Sequence, residues 1–263
     1  MVSQSDVQKG LFLHGKKGLI AGIANEHSIA YGCARAFHEA GAELAITYLN
    51  AKAEPFVRPL AEDLGSPIIV PCDVREPGQL EAVFAHIRDK WGSLDFLLHA
   101  IAYAPKEDLH SRVTDCSQEG FALAMDVSCH SFIRMARFAE PLMNQGGCLL
   151  TVTFYGSEKV VEDYNLMGPV KAALEASVRY MAAELGPKRI RVHAISPGPL
   201  KTRAASGIQH FDELLDRART RTPEHRLVDI GDVGNLAAFL VSDGAAALTG
   251  NVEYVDAGYH IEG

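Results

Sequence analysis

Short, continuous apolar runs alternate with amphipathic stretches along the chain. Apolar runs bounded by turn residues are typical of buried strands, and a helical apolar period is typical of helices. The runs predict strands at Lys17–Ala21, Glu43–Tyr48, Pro67–Cys72, Leu94–Ala100, Cys148–Thr153, Ile190–Ile195 and Asn251–Val255. The amphipathic stretches predict helices at Ser28–Ala40, Ala51–Leu64, Pro77–Trp91, Phe121–Asn144, Asn165–Leu185, Asp212–Arg219 and Ile230–Ser242.

The strands are apolar throughout rather than alternately apolar and polar, which indicates burial on both faces. Strands separated by helices form parallel sheets with right-handed crossovers. We therefore predict an α/β fold, a single doubly wound parallel sheet of the Rossmann type with three α/β/α layers. Residues 1–263 are expected to form one domain. In such sheets ligands bind beyond the carboxyl ends of the strands, so function is expected in the loops that follow them.

The composition narrows the class of partner. The 263 residues include 25 Lys and Arg against 33 Asp and Glu, and the formal net charge of −8 argues against a nucleic-acid partner. The chain has no apolar run of about 18 residues, so no membrane insertion is expected. Residues 1–18 lack the layout of a secretory signal. The five scattered cysteines form no CxxC pair, as expected of reduced thiols in a cytoplasmic protein without a bound metal.

The loop after the first predicted strand suits a dinucleotide. A glycine lets the backbone approach the pyrophosphate, and a helix N-terminus favours anions through its free N–H groups and dipole. Gly22 is followed six residues later by Ser28, then by Ile29 and Gly32. Ser28 can cap the helix and donate to phosphate, and Gly32 lets the helix pack closely on the sheet. Taken alone, an ordinary glycine turn with a serine cap is an equal alternative.

The pattern Gly-x5-Ser-Ile-Ala-Tyr-Gly resembles the bacterial NADH-dependent enoyl-(acyl carrier protein) reductases, a divergent branch of the short-chain dehydrogenases. A second motif, Tyr164-x6-Lys171 followed by Ala-x-Leu-Glu-Ala, is also similar to that family. The Tyr-x3-Lys motif of ordinary short-chain dehydrogenases is absent, because Met167 rather than a tyrosine stands four residues before Lys171. On one helix, Tyr164 and Lys171 share a face with Cα atoms roughly 10 Å apart along the axis. The resemblance covers about Gly10 to Ile261.

The resemblance implies a reductase that adds hydride to the β-carbon of an enoyl thioester. Tyr164 would stabilise or protonate the enolate oxygen, and Lys171 would bind the nicotinamide ribose. Phe154 stands where the family commonly has a tyrosine and ordinary short-chain dehydrogenases have their serine. It therefore speaks against Ser-Tyr-Lys ketone chemistry and is expected to form a wall of the acyl pocket. Tyr155 is a poor substitute unless the backbone turns there, because neighbouring strand residues point to opposite faces.

The resemblance also implies the cofactor contacts. The implied cofactor-binding residues are Gly22, Ser28, Ile29, Leu49, Asp73, Val74, Ile101, Lys171, Leu200 and Thr202. Asp73 and Val74 would bind adenine, although Asp73 taken alone could instead cap the next helix. Leu49 ends the second strand, where NAD-binding folds often carry a carboxylate and NADP-binding folds have an arginine nearby. Lys52 is the only nearby cation along the chain, so NADH is expected and NADPH stays possible.

For the acyl chain, the resemblance implies a pocket formed by Ala102, Tyr103, Ala104, Phe154, Met167, Ala204, Ile208 and Phe211. The last three belong to a stretch around 200–220 whose small and apolar residues suit a lid over the substrate. His99 lies within an apolar run before this loop. We therefore expect a hydrogen-bonded core histidine there rather than a catalytic base.

The resemblance further implies a homotetramer and a substrate bound to acyl carrier protein in type II fatty acid synthesis. Carrier proteins are acidic, so docking is expected to use a local basic patch. Lys201 and Arg203, beside the expected lid, are the candidates for that patch.

Two alternative functions stay open. The first is an NAD(P)H-dependent reductase of another unsaturated or carbonyl substrate, because Leu49, Ala102 and Phe154 depart from the family pattern. The second is a non-catalytic cofactor-binding protein that kept the fold. Tyr164 and Lys171 argue against the second alternative because such a protein needs neither.

Overall fold

In the part of the chain that the structure describes, seven parallel strands form one sheet. The structure is a computed structural model, and it describes residues 12–202 and 211–262. The strands are β1 (Lys17–Ala21), β2 (Glu43–Tyr48), β3 (Ile68–Pro71), β4 (Phe96–His99), β5 (Gly147–Val152), β6 (Ile190–Pro197) and β7 (Val252–Val255). Their order across the sheet is β3-β2-β1-β4-β5-β6-β7, and each neighbouring pair is parallel. The predicted doubly wound α/β fold is confirmed.

Helices cover both faces of this sheet. They are α1 (Ile29–Glu39), α2 (Glu54–Asp63), α3 (Gln79–Trp91), α4 (Lys106–Leu109), α5 (Gln118–Met125), α6 (Ser131–Ala139), α7 (Met167–Leu185), α8 (Phe211–Arg221) and α9 (Ile230–Val241). One apolar core lies beneath α3, α6 and α7 and contains Leu19 of β1. The other lies beneath α1, α2 and α9 and contains Ile20. Successive strand residues therefore enter different cores, which explains why the strands read as continuous apolar runs.

The prediction of a single helix at Phe121–Asn144 is wrong. Helix α5 ends at Met125, a π-helical turn covers Asp126–His130, and α6 ends at Ala139. Pro141 cannot donate a helical hydrogen bond, and a proline disfavours helix in the residue before it. A short 3-10 turn at Glu140–Leu142 therefore replaces the last predicted turn.

The predicted helix at Asn165–Leu185 begins two residues late, at Met167. Asp163 and Asn165 have φ angles of 62° and 39°, which are left-handed values that a right-handed helix excludes. Tyr164 therefore lies in the turn before α7, and its carbonyl accepts a hydrogen bond from the Met167 N–H at 3.0 Å. The prediction that Tyr164 and Lys171 share one helix face is wrong, because only Lys171 belongs to the helix.

Gly32 packs α1 against α9 rather than against the sheet, which corrects its predicted role. A Cβ at Gly32 would overlap the carbonyl oxygen of Ile230 at the start of α9. A Cβ at Gly234 would in turn crowd the carbonyl oxygen of Gly32. The two helices therefore meet backbone to backbone, a distance that glycine permits because it has no side chain.

The other predicted strands and helices begin and end within three residues of the observed bounds. Helix α4 was not predicted, since its four residues are too few to show a period. All five cysteines are free, and four of them are buried. Within the described ranges, no helix is long and apolar enough to cross a membrane.

Replacing Gly32 by alanine is expected to lower the free energy of unfolding by about 1–3 kcal/mol, because the added methyl group must push α1 away from α9. Gly186→Ala is the matched control, since nothing lies within 4 Å of a Cβ there and its φ of −52° suits alanine. Urea unfolding measures both variants. Equal midpoints for the two would contradict the close helix contact.

Candidate active site

The candidate residues gather along the carboxyl edge of the sheet. β1 and β4 are neighbours near the middle of the strand order, and their connections leave in opposite directions, which opens a crevice between them. Gly22 follows β1 with a φ of 120°. A Cβ there would overlap the backbone carbonyl of Ala100, which follows β4. This position therefore requires glycine and leaves bare backbone at the crevice.

Ser28 closes the loop after β1 instead of capping α1. Its Oγ accepts the N–H groups of Ala24 at 3.0 Å and Asn25 at 3.1 Å, and donates to Asn25 Oδ1 at 3.3 Å. It stands at the N-cap position but makes no side-chain hydrogen bond to the helix, so the predicted serine cap is wrong. The first N–H groups of α1, beginning with Ile29, are thereby left for an anion.

Asp73 follows β3 and is held by Arg75. Its carboxylate accepts Arg75 Nε at 3.0 Å and Nη2 at 2.6 Å, and these hydrogen bonds lower the pKa of Asp73. The alternative that Asp73 caps the next helix is wrong, because Gly78 takes the N-cap position of α3. The neighbouring Val74 is buried, and its carbonyl accepts a hydrogen bond from Arg134 of α6 at 2.8 Å. Asp73 is thus a fixed anionic acceptor beside the crevice.

The end of β2 has a second nearby cation besides the Lys52 that the sequence indicates. Leu49 is 48% exposed, and Lys52 follows it in the next turn. A second cation, Arg58 of α2, places its guanidinium carbon 5.9 Å from the ring centre of Tyr48. Glu54 accepts a hydrogen bond from Arg58 Nε at 2.8 Å, so this charge is partly balanced. Lys52 is therefore not the only cation near this strand end.

The loop after β4 spans the crevice and is held by the π-helical turn. Ser128 accepts the N–H of Tyr103 at 2.9 Å and donates to its carbonyl at 3.0 Å. The ring of Tyr103 is 46% exposed and lies 5.8 Å from the guanidinium carbon of Arg75. Ile101 packs against the core below, and Ala102 is exposed. The loop therefore connects the Asp73 side of the crevice with the predicted substrate side.

Tyr164 lies in a small apolar cluster separate from the two main cores. Met167 is buried in this cluster, and Ala104 and Phe154 pack against it. The ring centres of Phe154 and Tyr164 are 4.9 Å apart in an edge-on arrangement. Burial raises the pKa of the Tyr164 phenol, and the carboxylate of Glu175 raises it further. The hydroxyl therefore keeps its proton and is suited to donate a hydrogen bond.

Lys171 is buried near the same edge. Its Nζ donates to the carbonyl of Val152, the last residue of β5, at 2.6 Å. Burial lowers the pKa of Lys171 to about 8, while Cys129 and Glu175 act in the opposite direction. The ammonium group is therefore fixed in place and is still charged at neutral pH.

His99 and Tyr155 do not take part in this arrangement. The His99 ring bonds Thr151 Oγ1 at 2.9 Å and Ser131 Oγ at 2.8 Å, and burial lowers its pKa to about 3. It is the neutral core histidine that the sequence indicates. Tyr155 begins a 3-10 turn after β5 and packs edge-on against Tyr259, with ring centres 5.8 Å apart.

The segment after β6 completes the crevice beside α1. Leu200 is buried in the core that also holds Ala30 of α1, and Thr202 is half-buried. A cavity of about 620 Å³ opens here, lined among others by His27, Leu200, Lys201, Arg219 and Ile230. Arg203, Ala204 and Ile208 lie outside the described residues. Phe211 begins α8, so the lid predicted around 200–220 is helical in its second half.

Comparison with known proteins identifies the family of this chain. Residues 22–260 match the family described as Enoyl-(Acyl carrier protein) reductase. The chain belongs to this family. It is 48% identical to enoyl-acyl-carrier-protein reductase (NADH) 1 of Rhizobium meliloti (strain 1021), over 95% of this chain and 92% of that protein. The family resemblance inferred from the motifs is confirmed.

Two solved structures of enoyl-acyl carrier protein reductases share the fold over nearly the whole chain. One is from Anaplasma phagocytophilum in complex with NAD, with a TM-score of 0.92, 46% identity, and coverage of 96% of each chain. The other is from Bacillus cereus with NADP+ and an indole naphthyridinone, with a TM-score of 0.94 and 43% identity. The match to the Bacillus cereus structure covers 96% of this chain and 99% of that chain.

The residues of this enoyl reductase fit a nicotinamide dinucleotide. Gly22 presents bare backbone where a side chain would block the crevice, and the start of α1 offers N–H groups to a pyrophosphate. Asp73 is an anionic acceptor suited to the amino group of adenine. Lys171 would donate to the nicotinamide ribose. Asp73 follows β3, Gly22 follows β1, and Lys171 bonds the last residue of β5, so the groups are spread along the carboxyl edge of the sheet, as one elongated ligand requires.

Several residues of the candidate site were missed by the sequence analysis. They are Arg58, Arg75, Ser128, Thr153 and Glu175. Ser128 and Thr153 act through partners 25 and 22 positions away, so the linear sequence carries no signal for them. Arg58 and Arg75 have local partners, Glu54 four residues away and Asp73 two residues away, which the sequence could have shown. Glu175 did have a signal, because it follows Lys171 by one helical turn and therefore lies on the same face of α7.

Tyr164→Phe is expected to lower kcat with a crotonyl thioester by about 10²–10⁴-fold, because the donor to the developing oxyanion is lost. The Kd of NADH, measured by fluorescence titration, should change little. Lys171→Ala should both lower kcat and raise this Kd. An unchanged kcat for Tyr164→Phe would contradict the role of its hydroxyl.

Proposed function

We propose that this protein reduces trans-2-enoyl groups carried as thioesters on acyl carrier protein, with NADH, in type II fatty acid synthesis. The observation that carries the proposal is a buried, protonated Tyr164 and a buried Lys171 ammonium that both interact with Glu175, in a chain of the enoyl-(acyl carrier protein) reductase family. When bound, NADH supplies the hydride that adds to the β-carbon of the enoyl group. The residues of the chain orient the thioester and stabilise the charge that develops on it.

Tyr164 acts on the thioester oxygen. As the β-carbon is reduced, negative charge collects on that oxygen as an enolate. The Tyr164 hydroxyl donates a hydrogen bond to it and can pass it a proton, because burial keeps the phenol protonated. The apolar cluster around Tyr164 excludes water, which strengthens this hydrogen bond.

Lys171 contributes orientation and positive charge. Its Nζ keeps one donor on the Val152 carbonyl and has two more to offer, since an ammonium group carries three. One of them is directed to the nicotinamide ribose. The charge of Lys171 also favours the nearby enolate, so the same residue binds the cofactor and lowers the barrier.

The acyl pocket is formed by apolar side chains. Phe154 covers the ring of Tyr164 from one side, and Met167 and Ala104 extend the same apolar surface. Phe154 has no hydroxyl, so a second hydrogen bond to the substrate oxygen is not available from this position. The arrangement therefore favours an enoyl thioester over a ketone, because ketone reduction would require the Ser-Tyr-Lys chemistry of other dehydrogenases.

We propose that the protein is a cytoplasmic homotetramer. Phe239 of α9, which is 44% exposed, and the half-buried strand β7 support an interface at this end of the sheet. Sedimentation velocity measures the assembly directly.

Purified protein is expected to oxidise NADH when a crotonyl thioester is supplied, and to leave acetoacetyl thioesters and simple ketones unreduced. The same assay with NADPH should be slower, although Arg58 near the end of β2 can support some binding of a 2′-phosphate. The loss of the absorbance of the reduced nicotinamide measures the rate of both reactions. Tight NADH binding without turnover of any thioester would instead support the non-catalytic alternative.

Docking of the acidic carrier protein is proposed to use Lys201 and Arg203. Reversing both charges to glutamate is expected to raise KM for a crotonyl group on acyl carrier protein about tenfold, because complementary charges steer association. KM for crotonyl-CoA should be unchanged. Arg88→Glu on α3 is the control for general loss of positive charge. Equal KM values for the double variant and the control would contradict this docking site.

A further inference from the structure

The end of β5 is attached twice to α7. Val152 accepts a hydrogen bond from Lys171 Nζ at 2.6 Å. The next residue, Thr153, donates from Oγ1 to Glu175 Oε1, also at 2.6 Å. Lys171 and Glu175 are one helical turn apart on the same face of α7. The last residue of β5 and the residue after it are thus fixed by two successive turns of one helix.

Glu175 is an unusual residue to find at this depth. It is 5% exposed, and burying a carboxylate is unfavourable unless hydrogen bonds or charges compensate for the lost water. An apolar residue would pack between α7 and the sheet without that penalty. The carboxylate therefore calls for an explanation beyond packing.

The surroundings of Glu175 supply that explanation. Its carboxylate acts electrostatically on Tyr164, on Lys171 and on Tyr254 of β7. Two of these three are the residues proposed to act on the thioester and the cofactor. Its hydrogen-bond donor, Thr153, directly precedes Phe154, whose ring lies 4.9 Å from that of Tyr164.

We propose that Glu175 is a positioning residue for the enoyl reduction, which fixes the end of β5 beside Tyr164 and serves as the counter-charge of Lys171. The inference rests on the proposed function, because it assigns Glu175 a task in that reaction. Through Thr153 the carboxylate holds Phe154 against Tyr164. Through its charge it favours the ammonium form of Lys171.

The other titratable groups facing Lys171 do not provide a negative charge. His99 of β4 is neutral, because burial and the positive charge of Lys171 lower its pKa to about 3. Cys129 of the π-helical turn keeps its proton at neutral pH, because burial raises the pKa of its thiol. Of these neighbours and Tyr164, Glu175 alone is a carboxylate. Removing its charge should therefore lower the pKa of Lys171, which burial already brings to about 8.

Glu175→Gln tests the charge separately from the hydrogen bond, because the amide oxygen can still accept from Thr153. We expect the basic limb of the pH profile, for kcat and for the Kd of NADH, to move about one pH unit lower. Thr153→Val removes the hydrogen bond and keeps the carboxylate. It should lower kcat severalfold and leave the basic limb in place. Glu184→Gln, at an exposed position of the same helix, is the matched control and should match the wild type.

A Glu175→Gln protein with a wild-type pH profile and only a lower Tm would overturn the inference, since a structural role alone predicts that result. If Glu175→Gln does not fold, Glu175→Asp and Thr153→Val decide instead. A lower kcat with an unmoved basic limb in both supports the inference, and a wild-type kcat in both overturns it. The proposed function is judged separately, on wild-type turnover of crotonyl thioester, whereas the NADH titration reports on Glu175 without turnover.

Discussion

The close approach of the Gly22 backbone to the carbonyl of Ala100 is the constraint on which the site depends. β1 and β4 are paired in register up to Ala21 and His99, and the Ala100 N–H continues the ladder to the Ala21 carbonyl at 2.8 Å. A side chain at Gly22 would force these strand ends apart. Without one, the strands stay hydrogen-bonded to their last residues, and the two loops diverge from a common point. The crevice begins where the pairing ends.

The fold was predictable because its main signal is local. Each strand is buried on both faces, so its apolar run marks it regardless of its partners, and each helix carries its own period. The π-helical turn at Asp126–His130 was not predictable in this way, because an apolar period does not distinguish one wider turn from a regular helix. Ser128 explains the turn only through its hydrogen bonds to Tyr103, a residue 25 positions away.

The site was predictable as a set of motifs but not as a geometry. The spacing of Tyr164 and Lys171 carried the family resemblance, yet the assumption of a regular helix between them failed at the left-handed backbone of Asp163 and Asn165. Ser28 lay where the motif indicated, but its hydroxyl bonds the loop rather than the helix. In each case the residue type was informative, but the hydrogen-bond partner depended on the path of the local backbone, which a motif does not specify.

The backbone contact between Gly32 and α9 has a consequence for the order of folding. Helix α1 is made early in synthesis, but the surface it needs begins at Ile230, almost 200 residues later in the sequence. Loop closure over that separation is entropically unfavourable and slow. The first half of the sheet therefore cannot complete its own outer layer on the ribosome. The start of α1, whose free N–H groups face the crevice, therefore gains its full packing support only after α9 has been made.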